Sequence, residues 1–137
     1  YVMNNLGLVS SISINPETGP VFKATITSSS TTVSIATPTF ILNDYYAATD
    51  RAYWLRLVVV QDGSGSRDLS WPATGQANGN IHFPSGQWTS ALNRYPKLTP
   101  SGYAPTSGEM DIFDFYSYDH GINWIGQRIA SGVLRNG

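Results

Sequence analysis

The stretch from Asp111 to Gly126 reads DIFDFYSYDHGINWIG and places five aromatic residues in sixteen. Successive side chains of a β-strand point to opposite faces, so Ile112, Tyr116 and Tyr118 fall on one face and Phe113 and Phe115 on the other. The DHG that follows supplies the residues a hairpin turn needs, and INWIG returns as a second strand. The rings are therefore read as the two faces of one hairpin, since Phe and Trp in alternating strands bury large apolar areas. A platform for stacking sugars or bases is the lesser reading.

The same alternation runs through the rest of the chain. Helical periodicity is nearly absent, and β-branched and aromatic residues alternate with polar ones between Gly, Pro, Asn and Asp clusters. In VFKATITSSSTTVSIATPTFIL, Phe22, Ala24 and Ile26 share one face, and Val33 and Ile35 share another after the polar TSSST. YWLRLVVVQ offers Leu55, Leu57 and Val59 on one face and Val58 and Val60 on the other, the pattern of a central strand buried on both sides. DGSG at 62–65 then reads as a hairpin turn, returning through SRDLSW with Arg67, Leu69 and Trp71 on one face.

These segments predict an all-β chain: a single antiparallel β-sandwich of jelly-roll type over residues 22–137. An N-terminal arm or connecting strand precedes it over residues 1–21. Leu57, Val59, Leu69, Phe113, Phe115 and Trp124 are the expected core. Residues 72–108 are rich in proline and lack sustained alternation, which predicts long loops with short strands such as GNIHF.

Composition narrows the function. The 137 residues match the size of one domain with a real core. Only 12% are charged and about a fifth are Ser or Thr, so hydroxyls and amides make up much of the polar surface. The net charge is −1 and the basic residues are scattered, which argues against nucleic acid as a partner. There is no cysteine for disulfides or thiolate metal sites, and no apolar run long enough for a membrane helix.

Motifs of catalysis and cofactor binding are missing. Asp111 and Asp114 fall on opposite faces of one strand, and Asp119 lies in a turn, so they do not form the paired carboxylates of a glycosidase. His82 and His120 stand far apart with no second ligand at a metal spacing. QDGSGSRD lacks the spaced oxygens of a calcium loop. No catalytic residue, cofactor or metal is expected. The binding candidates are the rings of Trp88, Tyr95 and Tyr103 with the amides of Asn78, Asn80, Gln87 and Asn93. Flat rings and neutral amides suit a sugar surface without requiring charge; rings that cap the ends of the sandwich are the alternative and the more usual one, since Trp and Tyr are mostly buried.

Three segments taken in order, LVVVQDGSGSRDLSWPA at 57–73, PKLT at 96–99 and MDIFDFYSYDHGINWIG at 110–126, resemble a C-terminal module of bacteriophage tail fibres and other phage virion proteins. That module runs QDGTGSRTVTWPA, a WPGG loop, PTLT and VDVFTFYTDDGGTTWYG. The likeness spans residues 54–126, and FPSG at 83–86 stands where the module has WPGG. The resemblance implies a non-enzymatic virion component that forms a homo-oligomer, a trimer first, and contacts other virion proteins. Loops 72–108 would then offer a surface for a host glycan. A capsid decoration or cement protein is the nearest alternative, and a free carbohydrate-binding or glycan-cleaving protein is a further one.

Overall fold

Residue alternation is realised as nine strands in a computed structural model that describes residues 3–37, 52–71, 80–91, 94–100 and 102–133. They are β1 (Met3–Val9), β2 (Ser11–Ile14), β3 (Val21–Ile26), β4 (Ser30–Ile35), β5 (Tyr53–Gln61), β6 (Asp68–Ser70), β7 (Ile81–His82), β8 (Met110–Ser117) and β9 (Trp124–Val133). Two 3-10 turns, Pro16–Thr18 and Ser85–Gln87, are the helical elements among the described residues.

The first six strands alternate between two sheets. β1, β3 and β5 lie side by side in a six-stranded sheet ordered β1-β3-β5-β8-β9-β7, and β2, β4 and β6 form a three-stranded sheet. Every neighbouring pair among these six is parallel. A parallel pair needs a crossover of about a dozen residues, and here the strand in the opposite sheet supplies it. The chain thus winds through three coils, one strand per sheet in each. The bends stack as the strands do: Val9 O accepts Thr27 N at 3.0 Å, and Ser29 O accepts Asp68 N at 3.2 Å.

The all-β expectation holds, but the antiparallel one does not, because the larger sheet is mixed and the smaller one parallel. The reason lies at 62–67. The expected hairpin there is instead a bend that carries the chain across to the other sheet, where β6 pairs with β4 rather than with β5. Among the described residues antiparallel pairing is confined to β5–β8 and β8–β9, and β8–β9 is the hairpin read from DHG. Within the segment expected as an arm, residues 3–14 supply an edge strand to each sheet.

Register aligns the inward rows. Phe22 stands opposite Leu57, which stands opposite Phe113, and Ile12 and Ile14 stand opposite Val33 and Ile35. Side chains from both sheets enter one core, joined by Trp71, Ile81, Phe83 and Leu98. The six residues expected in the core are all buried. Trp71 sits edge-on to Phe83 and Phe113 at centroid distances of 4.9 and 5.2 Å, the geometry ring quadrupoles favour.

Candidate functional site

The loops that follow β6 are tied down by the same short motifs that mark the sequence. Gln61, at the end of β5, is buried and its amide grips the backbone of Arg67 in both directions. Asp62 accepts the N–H groups of Ser64 and Gly65 and pairs with the Arg67 guanidinium at 3.1 Å. The Arg67 hydrogen bond, reinforced by those N–H groups, holds the Asp62 carboxyl below its ordinary pKa despite some desolvation. Gly65 has φ +65, and a Cβ there would lie 2.6 Å from Pro105 O, so the bend presses directly on the loop before β8. Ser66 N donates to Pro105 O, and Gly108 N donates to Gln61 O.

Asp68 carries the lock to the PKLT segment. Its Oδ1 accepts Leu69 N at 2.8 Å and Leu98 N at 3.0 Å, and its Oδ2 accepts the Thr99 hydroxyl at 2.6 Å. Leu98 is buried beneath. One carboxylate thus fastens a loop about thirty residues away to the edge of the smaller sheet.

Gln87 repeats the device of Gln61. Its Nε2 donates to Arg128 O at 3.2 Å and its Oε1 accepts Arg128 N at 2.9 Å, so it extends the ladder of β9. The Arg128 guanidinium donates to Lys97 O at 2.7 Å and reaches Asp111 at 3.4 Å. Trp88 donates its indole N–H to Phe83 O at 2.7 Å, lies partly buried against the core, and carries the Arg94 guanidinium over its ring at 4.7 Å. Tyr95 is also partly buried against the core. Asn80 donates to Ile35 O at 3.5 Å, and its carbonyl accepts Trp124 N.

The candidate residues therefore fall into distinct places. Trp88, Tyr95, Gln87 and Asn80 line the seam between loop and core, whereas Tyr103 lies half-buried beside Gly132. Asn78 and Asn93 lie outside the described residues, as do 72–79 of the expected loops. Among the described residues no group of three His, Cys, Asp or Glu side chains could hold a metal ion, and no helix is long and apolar enough to cross a membrane.

The hairpin turn is built in the same manner. Ser117 donates to Asp119, Gly121 N donates to Ser117, and Asn123 donates to Asp119 from both its backbone and its side chain. Desolvation pushes the Asp119 carboxyl up, but these donors outweigh it and leave the pKa below the ordinary value.

One pair of acids was not singled out by sequence. Glu109 and Asp111 are two residues apart and both buried, with exposures of 0% and 5%. Glu109 Oε2 accepts Thr106 N at 2.7 Å, while its Oε1 has no hydrogen-bond partner. Asp111 accepts Gly132 N at 3.3 Å, and burial, with the charge of Glu109 adding to it, pushes its carboxyl above the ordinary range. The available signal was the i, i+2 spacing that puts both carboxyls on one strand face.

Comparison with protein-family models, curated proteins and solved structures gave no match.

Proposed function

We propose that the chain is a non-enzymatic structural protein of a bacteriophage virion, a tail-fibre or appendage domain whose loops over 72–108 offer a surface to host glycan. One observation carries this reading. The residues of the motifs that resemble the phage module, Gln61, Asp62, Arg67 and Asp68 with Leu98 and Thr99, are engaged in holding turns and loops to the sheets. A motif spent on rigidity suits a protein whose task is to present a surface.

The two sheets around a shared core are read as a variant of the β-sandwich in which parallel coils replace part of the antiparallel order. Asp114 is paired with Arg56 on the outer face and Asp119 is tied into its turn, which favours binding over glycoside cleavage. Self-assembly belongs to the same reading, with the trimer as the state implied by the resemblance. A capsid decoration role is the second reading, favoured by the exposed apolar residues of β9, which suit attachment to a lattice.

The test is binding of the purified protein to arrayed bacterial surface polysaccharides, followed by an assay for new reducing ends. Saturable binding without release of reducing ends is the expected result. Steady release would replace the structural reading with a hydrolase.

A further inference from the structure

Outward positions of a solvated sheet are ordinarily polar. The outer face of β8 and β9 departs from this. Tyr116, Ile125 and Ile129 are 39%, 48% and 45% exposed, and Tyr118 and Ile122 at the hairpin tip are 61% and 53% exposed. Register places Trp54, Tyr116 and Ile125 in one row across three strands, with Tyr118 edge-on to Tyr116 at 4.6 Å. The next row is Arg56, Asp114 and Gln127, and Arg56 grips Asp114 through two hydrogen bonds of 2.7 and 2.9 Å.

We propose that this outer face of β5, β8 and β9 is a self-association surface that seats the same face of a second copy. Area, charge and the state of the sheet edges all favour a second copy as the occupant. At roughly 200 Å² of surface for a large side chain, the five exposed residues offer about 500 Å², more than half of the roughly 800 Å² per partner of a stable interface. The Arg56–Asp114 pair leaves the centre of the face neutral, which gives a charged partner of either sign little to recognise. It also makes the face self-complementary. A twofold axis running between the two residues sets Arg56 against the partner's Asp114, and Asp114 against the partner's Arg56.

The edges of the six-stranded sheet are poor alternatives. β1 carries a bulge between Asn5 and Gly7, and β7 is two residues long, both devices that discourage edge pairing. For that sheet, face-to-face stacking against a second copy is the packing that remains.

The inference keeps self-assembly from the proposed function but replaces the trimer with a twofold dimer, so a trimer in solution overturns it and leaves that reading standing; it is tested apart from any particle. Sedimentation velocity over a hundredfold range of concentration is run on the wild-type protein, on Tyr116→Ser/Ile125→Thr, and on Thr32→Ala, which alters an exposed side chain of β4 in the other sheet. A dimer is expected for the wild type and Thr32→Ala, with at least a tenfold weaker dissociation constant for the double variant at unchanged circular dichroism. Hydroxyl-radical footprinting of the unaltered protein is a second readout: Tyr116 and Tyr118 should be several-fold less reactive at high concentration than at low. A monomer throughout overturns the proposal. So does a trimer, a double variant that associates as tightly as wild type, tyrosines equally reactive at both concentrations, or a wild-type monomer that binds neutral phosphatidylcholine vesicles through this face.

Discussion

The side-chain amide of Gln61 exchanges two hydrogen bonds with the backbone of Arg67, Nε2 donating to Arg67 O at 2.9 Å and Oε1 accepting Arg67 N at 2.8 Å. A ladder partner in the sheet would supply the same two bonds, so the amide stands in for a strand where the chain leaves one sheet for the other. Gln61→Ala would leave two partly buried backbone groups without partners, at a cost of about 1–3 kcal/mol for each group left buried. Chemical denaturation should show a loss of about 2–4 kcal/mol. A loss under 0.5 kcal/mol would mean that the bend is held elsewhere.

Asp68 should be coupled to Thr99. Its charge-assisted bonds to Leu98 N and the Thr99 hydroxyl fix the PKLT segment, so Asp68→Ala and Thr99→Ala should each destabilise. Their effects should fall short of additive by about 1–2 kcal/mol in a double-mutant cycle measured by urea denaturation.

Gly132 occupies φ +65, and a Cβ there would lie 2.7 Å from Glu109 Oε1 and 2.9 Å from the Tyr103 hydroxyl. Gly132→Ala should cost about 1–3 kcal/mol from the backbone alone, and the collision adds to it. Adding Tyr103→Phe should recover part of the melting temperature by removing one colliding atom.

The pH dependence of Asp111 follows from its surroundings. Burial raises its carboxyl above the ordinary value, opposed by the Gly132 N–H and Arg128 and supported by Glu109. The native state therefore holds the proton more tightly than the unfolded chain does. This contribution to stability is complete below the ordinary carboxylate pKa and is lost as pH rises through the raised one. Asp111→Asn cannot ionise, so its melting temperature relative to wild type should be higher at pH 7 than at pH 3. A difference independent of pH would contradict the assignment.

Much of the fold was legible because it rests on period two. Phe22, Ala24 and Ile26, then Leu55, Leu57 and Val59, then Phe113 and Phe115 all announce their buried face by alternation. Sheet membership was not legible. QDGSGSR carries the residues of a tight turn, and only the long-range grip of Gln61 on Arg67, with Gly65 pressed on Pro105, turns it into a crossing between layers. At the candidate site the rings were visible, but their accessibility was not: the Arg94 cover on Trp88 and the clamp of Gln87 on Arg128 depend on partners in the folded chain.

The most direct test of the virion assignment is immunogold electron microscopy of intact phage particles with antibody raised against the folded protein. The account predicts label confined to a tail fibre or tail appendage. Label spread evenly over the shell would replace the fibre with a capsid decoration, and particles that carry the protein's sequence in their genome but bind no label would contradict the virion assignment outright.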